Sequence, residues 1–133
     1  MTNLDRFRPW FWAATAYNAV WGAIAGLFPN AMFAWLGLPP PHEPWLFQCI
    51  GMIVGVYALG YALVALDPVR YGVFAWLGII GKVLGPIGFL LGALQGQIPW
   101  RFGWINVTND LIWLPVFCLF AYRHYKAGYL LKS

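Results

Sequence analysis

The sequence predicts an all-α integral membrane protein, an antiparallel bundle of four transmembrane helices with a short interfacial helix in its first outer loop. Three observations carry that expectation. Of the 133 residues, 62% are hydrophobic and only 9% charged, with a mean hydropathy of +0.66, which leaves too little polar surface to coat a soluble globule of this length. A hydrocarbon core about 30 Å thick takes roughly 20 helical residues per crossing, and four apolar stretches of that size fit with short connections. The basic residues, finally, gather at one set of helix ends.

The first span runs from Trp10 to Phe28. Its basic start and its AIAG tract give it the look of a signal peptide, but Asn18 and three tryptophans are atypical of a cleaved segment. The only long connection follows, from Pro29 to Pro44, where Asn30 is placed to cap a short helix through AMFAWLGL, ended by Gly37 and the run Pro39 to Pro41. The second span covers Trp45 to Leu66, a tight inner turn uses Asp67 to Arg70, and the third span covers Tyr71 to Leu94. The fourth runs from Trp104 to Tyr122. With no linker, internal repeat or low-complexity stretch, residues 1–133 read as one domain.

Four crossings put both ends on one side, which collects Arg6, Arg8, Arg70, Arg123, Lys126 and Lys132, whereas the opposite loops hold only Arg101. The positive-inside rule then makes both termini cytoplasmic. Trp10 and Trp12 fall at the inner boundary, and Trp35, Trp45, Trp100 and Trp104 at the outer one, as aromatic belts require. The net charge of +4 is a topology signal, since nothing resembles a nucleic-acid module.

Small residues form stripes at helical spacing: Gly78, Gly81, Gly85, Gly88 and Gly92 in the third span, Gln48, Gly51, Gly55, Ala58, Ala62 and Ala65 in the second, and Ala14, Asn18, Gly22 and Ala25 in the first. Such stripes let backbones approach closely, and the expectation is that spans two and three are tight neighbours.

One charge stands apart. Lys82 lies in an otherwise uncharged apolar run, where an ammonium costs roughly 2.5–3.5 kcal/mol on the mildest scales and persists only with a partner or a task. Asp110 in the fourth span is the available partner. Asn106, Asp110 and Trp113 share a face by spacing, while Asn18 and Gln48 lie on the stripes of their own helices. Pro86 has no N–H for the carbonyl of Lys82, and Pro115 none for that of Leu111, so each frees a backbone oxygen beside a charge. Freed groups at membrane depth need protein partners or a hydrated cavity. Lys82, Asp110, Asn106, Asn18, Gln48 and Trp113 are therefore the candidate ligand-binding residues. The alternative is a buried ion pair that only fixes helix register.

The segments YNAVWG, QCIGMIVGVYALGY, GKVLGPIGF and NDLIW with its following LP resemble a group of short bacterial membrane proteins of the DoxX-like four-helix class, some of them labelled alkyl hydroperoxide reductase. The resemblance spans most of the chain and implies a four-helix protein of the bacterial inner membrane. It does not imply peroxidase chemistry here. Cys49 and Cys118 fall in opposite leaflets, neither has a second thiol within reach, and both read as structural.

Other chemistries lack residues. His42 and His124 lie at opposite ends and read as solvated, so two histidines cannot reach one haem. Asp5, Glu43, Asp67 and Asp110 are scattered, giving no carboxylate pair and no metal set, and no glycine loop follows a strand to cradle phosphate. Three classes of function remain. The favoured one is a binding or accessory subunit that holds a quinone- or lipid-like molecule or docks on a larger membrane complex, because 20% of the chain is aromatic and suits flat apolar ligands. The others are a proton-coupled transporter of small solutes acting as a homo-oligomer, and an integral-membrane enzyme on a lipid substrate with Asp110 as acid or base.

Overall fold

The computed structural model describes residues 2–130, and Lys132, assigned above to the inner side, lies outside the described residues. Every regular element among the described residues is helical: α1 (Arg8–Leu27), α2 (Ala31–Trp35), α3 (Pro44–Leu66), α4 (Val73–Leu94), α5 (Gly103–Asn106) and α6 (Leu114–Lys126). Short 3-10 turns precede α1 at Asp5–Phe7 and α5 at Trp100–Phe102, and a π turn over Val107–Leu111 joins α5 to α6. Three stretches are long and apolar enough to cross a membrane: α3, α4 and the continuous helical run Trp100–Lys126. The composition of α1 falls short of that mark, because Asn18, Tyr17, Thr15 and three tryptophans lower the mean hydropathy of its apolar stretch.

Local chemistry sets the ends. Pro9, Pro44 and Pro115 each stand in the first turn of a long helix, where a missing N–H has no intrahelical partner to lose. At the end of α4, Gly96 adopts φ +71°, and the amides of Gly96 and Gln97 return to the carbonyls of Ala93 and Gly92 at 3.0 and 2.9 Å. Only glycine takes that left-handed conformation without strain, so the helix stops there. Gly37 ends α2 in the same way at φ +68°. The expected helix in the first outer loop is therefore present, although the Asn30 side chain makes no capping bond to it. The helix α4 runs through Pro86 without interruption.

The closest packing is between α1 and α3, and this corrects the expectation that the second and third spans would be the tight pair. A methyl added at Gly22 would sit 2.7 Å from the Gly51 carbonyl oxygen, and one at Gly51 only 2.8 Å from the Gly26 amide nitrogen. The stripe of α3 thus meets the stripe of α1, backbone on backbone. Polar clamps hold both ends of this contact. Gln48 Nε2 donates to the Gly26 carbonyl at 2.9 Å, and Arg8 Nη1 donates to the last carbonyls of α3, those of Ala65 (2.8 Å) and Leu66. A guanidinium there satisfies orphan acceptors and complements the negative end of the helix dipole.

Asp5 orients the same guanidinium through a 2.6 Å ion pair, and Arg8 in turn holds the Asp5 carboxyl below the usual carboxylate range. Because the folded value is lowered, this contribution is complete above the unfolded value of about 4 and is lost as pH falls through the folded one. Asp5→Asn should flatten the acid limb of the thermal midpoint between pH 5 and pH 3, and Arg8→Ala should lower stability by about 1 kcal/mol at neutral pH. A midpoint with unchanged pH dependence in Asp5→Asn would remove this role.

Two aromatic cores form, one toward each end. Phe7, Phe11, Tyr61, Phe117 and Phe120 build the first, with ring centroids 4.8–5.0 Å apart for Phe11 against Phe117 and Phe120 and for Tyr61 against Phe117. Trp21, Met32 and Phe47, backed by Phe33 and Phe102, build the second.

Candidate functional site

Between the two cores lies a cavity of about 370 Å³, walled by α1, α3, α4 and the α5–π segment. The glycines of α4 create it. A side chain at Gly78 would collide with the Tyr61 ring and one at Gly85 with Asp110 Oδ2, each at 2.7 Å, while Gly81 faces the Tyr57 hydroxyl at 3.5 Å. The stripe read in the sequence as a helix-packing seam instead leaves room for tyrosine, carboxylate and empty space. Ile50, Ile53 and Gly85 in the lining are exposed, so the cavity opens sideways between α3 and α4.

Four of the six residues singled out in the sequence meet here: Asn18, Lys82, Asn106 and Asp110, all buried. The expected ion pair does not form. Among the described residues the one charged pair within 4.0 Å is Arg8 with Asp5, and the Lys82 ammonium instead donates to the Asn109 carbonyl at 2.7 Å and lies 5.5 Å from the ring centroids of both Tyr61 and Phe117. Asp110 accepts from Asn109 Nδ2 at 3.1 Å.

The π turn explains both the change of partner and one residue left out. Across Val107–Leu111 the ladder widens, the Ile112 amide returning five residues to the Val107 carbonyl, and then tightens, the Trp113 amide returning only three residues to that of Asp110, each at 3.2 Å. Trp113 would bond the Asn109 carbonyl in a regular α-helix; here that oxygen receives Lys82. A wide turn also adds a residue and rotates everything after it. Trp113, which shares a face with Asn106 and Asp110 at α-helical spacing, accordingly lies outside the lining. Its ring packs 5.7 Å from Tyr17, and its Nε1 donates to the Thr108 carbonyl at 3.0 Å. Gln48 is outside too, held at the α1–α3 crossing by Gly26.

Sequence reasoning passed over Asn109, Tyr57 and Tyr61. Asn109 is three residues from Asn106 and so shares its face, a signal present in the sequence. The tyrosines have no such signal, since an aromatic in an apolar span is ordinary.

No known family, curated protein or solved structure matches this chain. The chemistry of the cavity therefore stands on its own residues.

Two further placements differ from expectation. His124 is not solvated but 1% exposed; its ring packs on Gly72, its Nε2 donates to the Val69 carbonyl at 3.1 Å, and its Nδ1 is unpartnered. Facing Gly72 leaves room for an imidazole at this helix contact, which is why it turns inward. Cys49 and Cys118 are free thiols on exposed faces outside the cavity. Among the described residues no group of three or more His, Cys, Asp or Glu side chains could hold a metal ion.

Proposed function

We propose that this chain is a four-helix protein of the bacterial inner membrane whose cavity holds a lipophilic ligand, quinone- or lipid-like, as a binding or accessory subunit. The observation that carries the reading is the sideways mouth. On this reading exposed Ile50 and Ile53 on α3 and Gly85 on α4 face hydrocarbon, so a molecule enters from the lipid and its polar end reaches Lys82, Asn106 and Asp110. An aqueous solute would have to cross that apolar rim, which makes a transporter a poorer fit.

The membrane reading rests on the apolar surface and on the distribution of charge. Large hydrophobic side chains are exposed along α3 and α4 over more area than a soluble monomer tolerates, for example Met52, Val56, Leu59, Leu84 and Leu91. The helix α1 crosses beside α3, its Asn18 turned inward to donate to the Val54 carbonyl at 3.4 Å. Arg8 sits at the α3 C-terminus and Arg123 lies 5.7 Å from the Phe7 ring, so these cations share one end with Arg6; under the positive-inside rule, this reading puts that end and both termini on the cytoplasmic side.

Organic extraction of the purified protein followed by mass spectrometry tests the ligand. A near-stoichiometric apolar compound is expected from the native chain and at least a tenfold smaller yield from Gly85→Leu, whose side chain would occupy the cavity beside Asp110. Equal yields from the two would end this reading.

A further inference from the structure

The end where α1 starts and α6 stops carries cations that the fold does not use. Arg6, Arg8 and Arg123 gather there, with Asp5 as the acid beside them. Asp5 and Arg8 occupy each other. Asp5 Oδ1 accepts from Arg8 Nε at 2.6 Å and Oδ2 from the amide and hydroxyl of Thr2 at 2.5 and 3.2 Å, while Arg8 Nη1 donates to the last carbonyls of α3. Asp67, the other acid at this end, accepts from the Arg70 amide. The guanidinium groups of Arg6 and Arg123 make no hydrogen bond and no ion pair with any described residue.

Those two groups share one side chain. Their Cζ atoms lie 5.8 and 5.7 Å from the centroid of the Phe7 ring, which is buried and packs edge-on at 5.5 Å against Phe120. Buried Leu4 and Phe7 anchor the 3-10 turn that carries Arg6, and Arg123 stands on the last turn of α6, so two ends of the sequence bring like charges onto one ring. Arg6 is exposed, Arg123 half-buried, and exposed Lys126 follows within a helical turn. Trp10 and Trp12, 52% and 46% exposed at the start of α1, mark the level at which indoles sit among lipid head groups.

We propose that Arg6 and Arg123 form a docking site for the phosphodiester of an anionic phospholipid in the leaflet at this end. The site is separate from the cavity and rests only on the membrane placement in the reading above. A guanidinium is a planar fork that matches two phosphate oxygens and also packs against an aromatic ring, so Phe7 steadies both groups while their N–H donors have no acceptor in the fold. With Asp5 and Asp67 both engaged, the pair favours a head group of net negative charge. A zwitterionic one would bring its own ammonium up to Lys126 and the two arginines.

Native mass spectrometry of the full chain from detergent, offered equimolar phosphatidylglycerol and phosphatidylcholine with matched acyl chains, tests this. Phosphatidylglycerol should be retained at least about fivefold more often. Arg6→Gln and Arg123→Gln should each remove about half of that preference or more, and Arg101→Gln, at the other end, should leave it unchanged. The double variant Arg6→Lys, Arg123→Lys keeps both charges but loses the forks, so it should lose preference too, which a diffuse surface charge would not. An excess of glycerol 1-phosphate should not displace the lipid. Equal retention of the two lipids, a preference unchanged in either folded glutamine variant, full preference in the double lysine variant, or displacement by glycerol 1-phosphate overturns the inference. The cavity reading survives those outcomes, because Arg6→Gln should yield as much extracted cavity ligand as the native chain. Retention of neither lipid overturns the inference together with the membrane placement beneath it.

Discussion

Gly51→Val should be the most damaging single substitution outside the charged residues, lowering stability by roughly 3 kcal/mol or more. The reason is what the new atoms would meet. A methyl at this position lies 2.8 Å from the Gly26 amide nitrogen and 2.9 Å from both the Gly22 carbonyl oxygen and Ala25 Cβ, and backbone cannot swing aside as a long side chain can. The two helices must separate, which also pulls Gln48 from the Gly26 carbonyl and shifts Asn18 relative to Val54. Gly55→Ala and Gly88→Ala are the controls. Nothing lies within 4 Å of a methyl at either position, and alanine is the better helix former by about 1 kcal/mol, so both should be neutral or slightly stabilising. Thermal unfolding of the detergent-solubilised protein separates these outcomes. A Gly51→Val midpoint equal to that of Gly55→Ala would show that α1 and α3 do not meet as described.

Removing one charge of the cavity should cost nearly as much. Asp110→Leu leaves the Lys82 ammonium, 3% exposed, with a carbonyl and two ring faces but no compensating charge. Breaking a directly bonded buried pair this way costs about 3–5 kcal/mol; with no contact inside 4.0 Å the expected loss is smaller, about 2–3 kcal/mol. The double variant Lys82→Met, Asp110→Leu removes both charges at similar volume and should recover most of that stability while losing ligand retention. A double variant as unstable as the single one would mean that the charges do not compensate each other. One that is stable and still retains ligand would leave them with a purely architectural part.

The fold was legible where local chemistry decides it. The loop glycine Gly37 marks a helix stop that the sequence announces, and the apolar runs give four helical stretches close to their observed bounds. Partnership between helices was not. The glycines of α4 are as regular as those of α3, and spacing alone cannot say whether a stripe faces another backbone or a large side chain such as Tyr61. Within the site, Lys82, Asp110, Asn106 and Asn18 were identified by cost, since polar groups in an apolar run must converge on something. Trp113 was lost to the π turn, because a face drawn with 3.6 residues per turn goes out of phase once the helix widens. His124 was read from its place near a chain end, which carries no information about the small residue opposite it.

That wide turn has a consequence in the dimension of chain length. The donor and acceptor pattern around Lys82 depends on one surplus residue between Asn106 and Ile112 as much as on which side chains are present. Taking a residue out of Val107–Leu111 would let an ordinary α-helix close, return the Asn109 carbonyl to the ladder and bring the Trp113 position round to the cavity, with every polar side chain of the site retained. In this protein, reading frame along a helix is itself a determinant of which groups line the cavity.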